Sequence, residues 1–274
     1  MVSLKQNKRT NKTNEMTNNE VIADILGVSA GEYESYDSWK KTELLYKCPN
    51  QKAIDYIKTQ RISSVKWRYI LQNTNPDAIQ FFRDNIDYDA LQTTGFVSGN
   101  YMSKLSIPMK TQGMNSYNMN QYSRNFILFS DLASSENIHV FNIFKEILYF
   151  PNIYKTVCLC YNQITISELW GNSLDEAVDV LYALMLEETD KIMLLDVSTE
   201  DGIMVFGPYK SYRLQDKYFW QGLSKNKNTR ITQILCRNIE LIRHRFDEHI
   251  FTDAYGFQTT LKLINQRVKE YLDK

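Results

Sequence analysis

Hydrophobic and polar positions follow a repeated pattern between residues 39 and 91. Apolar side chains recur there every three or four residues in short blocks that polar turns separate, as expected for one buried face on a series of short helices. Residues 45–57 also align with residues 70–82 without a gap, at an offset of 25 that lies within the periods of helical repeat arrays. The two segments share three residue pairs, which are Asn50/Asn75, Ala53/Ala78 and Ile54/Ile79.

Each repeat predicts a short helix, a polar turn and a second short helix. Pro76 can occupy the first turn of a helix without losing a needed hydrogen bond, and the Ala-Ile pair places a small and a large apolar group on one helical face. We therefore expect both Ala-Ile pairs to be buried between successive helices, with Trp67 covering the seam. A third unit begins at Asp87 and loses the pattern at Thr93, so the array is predicted to be too short to stand free.

One of these repeats resembles a known kind of repeat. Residues 67–85 read WRYILQNTNPDAIQFFRDN and are similar to the short repeats, built around Asn-Pro-Asn-Ala-Ile, that occur in arrays in proteins of giant DNA viruses. The sequence departs from that pattern in the spacer before Asn75, in Asp77, and in Gln51-Lys52 of the first unit. The resemblance implies a viral context and a role in packing or binding, and it brings no catalytic residue with it.

The pattern changes after residue 122. An apolar run over residues 125–129 predicts a buried strand, residues 136–149 have helical spacing up to Pro151, and residues 154–161 again have strand character. Ser173 and Glu176 form a capping box that predicts a further helix, and residues 198–202 predict the turn of a hairpin between residues 192–197 and 203–206. Apolar positions from 231 to 246 and from 261 to 272 predict C-terminal helices.

These elements predict an α+β fold, with an N-terminal short helical repeat-like module packed on a mixed α/β module that ends in helices. The predicted divisions are a flexible tail over 1–20, the helical module over 21–92, a Met-rich connection over 93–122 and the mixed module over 123–274. The connection reads as a long loop or an irregular hairpin that could serve as a partner-binding arm. Its length also warns of unrecognised strands.

Composition narrows the function classes without selecting one. Lys plus Arg and Asp plus Glu both number 32, so the overall charge indicates neither nucleic acid nor an anionic membrane as the partner. The four cysteines lack the close spacing of a zinc ribbon or a dithiol motif, which favours a reducing, intracellular location. The sequence has neither an apolar run long enough to span a bilayer nor a secretory signal.

Two clusters could carry metal-dependent chemistry. His244 and Glu248 would share a helical face, as would His249 and Asp253, but the spacing misses the zinc-protease patterns. A second set lies around the predicted hairpin and lacks the Asp/Glu-any-Lys element of one class of nucleases; it comprises Asp196, Glu200, Asp201 and Lys210. We interpret the first cluster as a solvated helix face and the second as turn residues. No cofactor, metal site or catalytic residue is predicted.

The leading hypothesis is a non-enzymatic interaction or structural protein that binds a protein partner or associates with itself. The alternative is a nucleic-acid-binding protein, because residues 209–230 interleave cations, which pair with phosphates, and aromatic rings, which stack on bases. The candidate residues for that alternative are Tyr209, Lys210, Tyr212, Arg213, Lys217, Lys225, Lys227 and Arg230. A metal-dependent hydrolase or nuclease is the third hypothesis.

Overall fold

The computed structural model describes residues 17–94, 97–98, 105–110, 127–154, 168–187, 197–206, 222–247 and 257–274. The fold is of the α+β class, as predicted, and it is mostly helical with small antiparallel sheets. In the first part of the chain the helices are α1 (Asn18–Leu26), α2 (Ala30–Ser35), α3 (Ser38–Lys47), α4 (Gln51–Lys58), α5 (Trp67–Ile70), α6 (Pro76–Asp84) and α7 (Tyr88–Thr94). The later ones are α8 (Phe129–Ala133), α9 (Ile138–Leu148), α10 (Asp175–Tyr182), α11 (Thr229–Arg237), α12 (Ile239–Asp247) and α13 (Phe257–Leu272).

Helix α1 begins inside the segment that the sequence assigned to a flexible tail. Thr17 is its N-cap, and the side chains of Thr17 and Glu20 form a reciprocal capping box with the backbone. Gly27 ends the helix with a φ of 71°, a left-handed conformation that glycine adopts without steric cost. The predicted boundary at residue 20 is therefore wrong by three residues, because the cap at Thr17 starts the helix at Asn18.

Strands β1 (Val97–Ser98), β2 (Leu105–Ile107) and β3 (Ile127–Leu128) form an antiparallel sheet in the order β1-β2-β3. The Met-rich connection thus contributes strands to a sheet, while its residues 111–122 lie outside the described part of the chain. The predicted strand over 125–129 ends earlier than expected, at Leu128, and residues 125 and 126 lie outside the described part of the chain. Phe129 already begins α8, because the Asp131 carboxylate accepts a hydrogen bond from the Leu128 backbone at 2.9 Å and caps that helix.

Strands β4 (Val197–Glu200) and β5 (Ile203–Phe206) form the predicted hairpin. The turn is shorter than the five residues expected, since Ser198 to Glu200 belong to β4 and pair with β5. Asp201 and Gly202 make the turn with φ values of 52° and 75°, the combination that a two-residue hairpin requires. Residues 192–196 lie outside the described part of the chain.

Three further predictions are corrected, two of them by side-chain hydrogen bonds. The N-cap of α10 is Leu174 rather than Ser173, whose hydroxyl accepts instead from the Lys227 backbone at 2.9 Å. The apolar face predicted from 231 to 246 is divided between α11 and α12 at Asn238, whose amide donates to the Met204 and Ile234 carbonyl oxygens at 2.9 and 2.8 Å. Of the segment 154–161, predicted to have strand character, only Tyr154 lies in the described part of the chain, where residues 151–154 are helical.

The helices form a stack of five similar units, each with a first helix, a short turn and a second helix. The units are A (38–58), B (67–84), C (129–148), D (168–182) and E (222–237). Helices α3 and α5 contact each other, so the first helices of units A and B pack together. Helix α6 contacts both α4 and α9, so the second helices of units A, B and C pack in a row. The array predicted to end at Thr93 therefore continues beyond it.

Each second helix buries two consecutive residues three and four positions after its N-cap. Ala53, Ile54, Ala78 and Ile79 are at most 3% exposed and Trp67 is 2% exposed, which confirms the predicted burial. The equivalent pairs in units C, D and E are Val140-Phe141, Ala177-Val178 and Ile231-Thr232, all of which are buried. The repeated seam is therefore buried throughout and apolar except at Thr232, although its residues change from unit to unit.

Asparagine side chains connect the turns of neighbouring units. We call the residue two places before the N-cap of each second helix the turn position. In units A to E this residue is Cys48, Asn73, Ser135, Asn172 and Asn226. Where this residue is asparagine, its amide is buried and donates to two backbone oxygens of the preceding unit. The pairs are Asn73 with Tyr46 and Cys48 (2.8 and 2.9 Å), Asn172 with Ala133 and Ser135 (2.7 and 2.9 Å), and Asn226 with Trp170 and Asn172 (2.8 and 2.6 Å).

The acceptors always occupy the same two places, the turn position of the preceding unit and the residue two before it. Each asparagine also accepts, through its side-chain oxygen, a hydrogen bond from the backbone two residues later. One amide thus satisfies two carbonyl groups and one N–H group that would otherwise be buried without partners. In unit C, where Ser135 replaces asparagine, Asn137 donates to the Asn73 oxygen at 3.2 Å instead.

After unit E, a side chain of α13 binds the turn in a different way. Arg267 on α13 reaches back to the turn of unit E, where its guanidinium donates to the backbone oxygens of Leu223 and Asn228 at 3.0 and 3.1 Å and to the Thr232 hydroxyl at 2.6 Å. Burial lowers the pKa of Arg267. Helix α13 therefore covers the end of the stack and donates to the turn of unit E, but to oxygens other than those of Ser224 and Asn226, which are equivalent to the acceptors in the other units.

Candidate functional site: a groove across three units

The first helices and turns of units A, B and C line a groove of about 1060 Å³. Unit A contributes Ser38, Trp39 and Thr42, and unit C contributes Asp131 and residues 134–137. Unit B and the residue before it contribute Lys66, Arg68, Tyr69, Leu71, Gln72 and Thr74. The first helices of the three units form one part of the groove lining, and the turns that follow them form the other. Its lining therefore comes from segments that are far apart in the sequence.

Trp39 is the most exposed of the large aromatic residues in the groove. It is 71% exposed although it is apolar, and its ring meets Tyr69 edge to face at 5.7 Å between centroids. The Lys47 amine lies 5.6 Å from the centre of the Tyr69 ring, within the range of a cation–π contact. An indole held in place by a neighbouring ring and open to solvent is a suitable anchor for a ligand side chain.

An ion pair crosses the floor of the groove from unit B to unit C. The Arg68 guanidinium lies 3.3 Å from the Asp131 carboxylate, which also caps α8. The pair is solvent-exposed, so its contribution to stability is small. Its effect on the groove is to neutralise Arg68 and part of the Asp131 charge.

The residues four positions before each turn position form a row along the first helices. In units B, C and D this row consists of Tyr69, Asp131 and Glu168. Burial and, to a smaller extent, the neighbouring Asp131 carboxylate raise the pKa of Glu168, and Lys225 offsets this effect only in part. Glu168 is nevertheless reached by solvent, as expected for a residue on a concave surface that is surrounded by protein but still open on one side. The row therefore changes from aromatic to acidic between units B and D.

Of the predicted nucleic-acid-binding residues, only Lys225, Lys227 and Arg230 fall in the described part of the chain; Tyr209, Lys210, Tyr212, Arg213 and Lys217 lie outside it. Lys225 and Lys227 are exposed beside the turn of unit E. Arg230 is engaged within the protein, since its guanidinium lies 2.6 Å from the Asp179 carboxylate and over the Tyr182 ring.

The two clusters considered for metal chemistry are only partly described. Glu200 and Asp201 both pair with the Arg237 guanidinium, at 2.9 and 3.2 Å, so these acids take part in an exposed ion-pair network. Asp196, Lys210, Glu248, His249 and Asp253 lie outside the described residues, as does the side chain of His244. Within the residues that the structure describes, no three His, Cys, Asp or Glu side chains are placed to hold a metal ion together.

Comparison of the chain with protein-family models, with curated proteins and with solved structures finds no match. In the described ranges, no helix combines the length and the apolar character needed to cross a membrane.

Sequence reasoning did not identify the groove. Trp39 lies seven residues before the buried Tyr46 on α3, so helical spacing places both on one face and gives no sign that Trp39 is exposed. Apart from Tyr69 and Leu71, the remaining lining residues are polar and follow no periodic pattern.

Proposed function

We propose that the protein is a non-enzymatic interaction protein that holds a segment of a protein partner in the groove of units A to C. The observation that carries this proposal is the exposed Trp39 at one end of a groove that three units build together. Stacked helical units that create an extended concave surface are a common basis for binding peptides and proteins. The similarity of residues 67–85 to giant-virus repeats is in keeping with such a role, and a viral context stays part of the proposal.

A selection from a phage-displayed library of random dodecapeptides tests the proposal. The wild-type chain should enrich peptides that the Trp39→Ala variant does not retain, because the variant lacks the apolar anchor. Tyr149→Ala is the matched control: Tyr149 is 56% exposed, does not line the groove and stacks on Tyr154. Equal retention of every enriched peptide by wild type and Trp39→Ala would contradict binding in this groove.

The enzymatic hypothesis has its own test. Reproducible nuclease or phosphatase turnover with Mg²⁺, Mn²⁺ or Zn²⁺, abolished by Asp201→Ala or His244→Ala, would contradict a non-enzymatic role. Asp201 already pairs with Arg237, so we expect Asp201→Ala to change no activity.

Nucleic-acid binding is retained as the second candidate because Lys225 and Lys227 are exposed on adjacent parts of unit E and make no ion pair within the described residues. It requires that a single-stranded oligonucleotide be retained at low salt, that retention fall as salt rises, and that Lys225→Gln with Lys227→Gln weaken it. Absence of retention at low salt would remove this candidate.

A further inference from the structure

The charges in and beside the groove are unevenly distributed. Near Trp39 lie Lys66 and Arg68, and Arg68 is already paired with Asp131. Towards unit D lie Glu136 on the turn of unit C and Glu168 on the first helix of unit D, and both are exposed. Neither carboxylate makes a salt bridge within the described ranges. The groove therefore combines an aromatic end with an end that has uncompensated negative charge.

The surroundings of Glu168 indicate which charge is missing there. The next residue of the row towards the groove is another carboxylate, Asp131, and Lys225 of unit E acts on Glu168 with the opposite charge. The carboxylate raises the pKa of Glu168 more than the lysine lowers it. A cationic group from a ligand, placed between Glu136 and Glu168, would compensate this negative charge.

The geometry of the stack sets the distance between the two ends. Adjacent packed helices lie about 8–10 Å apart, so the acidic row lies roughly 10–20 Å from the Tyr69 ring that supports Trp39. An extended chain advances about 3.3 Å per residue. The side chain that reaches the acidic end is therefore about three to six residues from the one that packs on Trp39.

We propose that the segment held in the groove is an extended peptide with a bulky apolar side chain packed on Trp39 and Tyr69 and an Arg or Lys side chain, about three to six residues away, facing Glu136 and Glu168. This inference rests on the proposed function and specifies the chemistry of the partner.

The enriched dodecapeptides give the first test. Peptides that depend on Trp39 should contain Trp, Phe, Tyr, Leu or Met together with Arg or Lys at that separation more often than the unselected library does. The best of them, synthesised with a fluorescein label, is then titrated with the full chain by fluorescence anisotropy. Wild type is compared with Trp39→Ala, Glu168→Gln and the double variant Glu136→Gln/Glu168→Gln.

We expect Trp39→Ala to weaken binding about thirtyfold or more, as loss of a central aromatic anchor does. Glu168→Gln should weaken it about two- to fivefold, the double variant more, and each effect should shrink as salt rises. The matched control is Glu34→Gln, an exposed glutamate on α2 away from the groove, which should leave the affinity unchanged.

The outcomes separate the two proposals. Without Trp39-dependent peptides, the proposed function itself fails. If such peptides bind but lack basic residues, or if Glu168→Gln and its double variant bind as tightly as Glu34→Gln does, groove binding stands and the inferred partner chemistry is overturned.

Discussion

The two edges of the stack differ in how much variation they contain. At the edge with the turns between first and second helices, Asn73, Asn172 and Asn226 repeat the same three hydrogen bonds. At the other edge, the second helix of one unit is connected to the first helix of the next. These connections range from the short segment between α4 and α5 to long insertions that contain the two small sheets. One edge therefore fixes the register of the units, and the other edge is free to accept additional chain.

Inserting one residue at each edge should give the largest difference. A glycine inserted after Asn226 separates its side-chain oxygen from the Asn228 N–H and shifts the turn against unit D, so we expect a loss of about 3–5 kcal/mol in the free energy of unfolding. A glycine inserted between Asp201 and Gly202, at the tip of the β4–β5 hairpin, should cost about 1 kcal/mol. Urea denaturation of both variants measures the difference, and equal losses would contradict the distinction between the edges.

Removing a single turn asparagine should have the next largest effect. Asn226→Ala leaves the Trp170 and Asn172 carbonyl groups and the Asn228 N–H group without their partner, at a cost of roughly 2–4 kcal/mol. Asn226→Asp should be less stable at pH 7 than near pH 4, since a buried carboxylate that faces carbonyl oxygens has a raised pKa and is tolerated only when protonated. Asn19→Ala on the exposed face of α1 is the control and should not lower the melting temperature.

Enlarging the small residue in the seam tests whether units A and B are equivalent. Ala78 and Ala53 are fully buried, and replacing either with leucine should overpack the contact between α4 and α6 at a cost of about 1–3 kcal/mol. Lys58→Gln on the exposed side of α4 should stay within about 0.5 kcal/mol of wild type. A melting temperature for Ala78→Leu that equals that of Lys58→Gln would show that the seam is not tightly packed.

The smallest expected effect concerns the acidic row. Because the pKa of Glu168 is raised on folding, the folded chain holds this proton more tightly than the unfolded chain, and stability falls as the pH rises from the unfolded pKa through the folded one. Glu168→Gln removes that loss, so it should stabilise the protein at pH 8 by at most about 0.5 kcal/mol and have no effect near pH 3. Thermal melts at both pH values, with Glu34→Gln as the baseline, measure it. A stabilisation of the same size at pH 3 would contradict this explanation.

The sequence allowed the prediction of units A and B because they are 25 residues apart and keep the same Ala-Ile pair. In the later units the buried pair changes to Val140-Phe141, Ala177-Val178 and Ile231-Thr232, and insertions of different lengths abolish any constant offset. Hydrophobic spacing alone therefore could not identify them. What persists is the turn chemistry, and the Asn226-Lys227-Asn228 sequence before a helix, matching Asn73-Thr74-Asn75, was a readable signal.

The groove was less predictable than the fold for a physical reason. Burial imposes a period on apolar residues, whereas solvent-exposed residues such as Trp39, Arg68 and Asp131 obey no such constraint. Their proximity depends on how units A, B and C stack. The turn positions of units B and C, Asn73 and Ser135, are 62 residues apart in the sequence, yet Arg68 and Asp131 form an ion pair. Only the three-dimensional arrangement brings them together.

Helix α13 also has a consequence for assembly. A stack of similar units presents at its last turn the same carbonyl groups that its own asparagines recognise elsewhere, so an uncovered end would be a template on which another copy could add head to tail and grow into a filament. The equivalent carbonyl groups of unit E belong to Ser224 and Asn226. Arg267 binds the oxygens of Leu223 and Asn228 beside them, and α13 packs on α11 at this end of the stack. A second copy could dock at this end only by displacing α13, so α13 works against open-ended polymerisation.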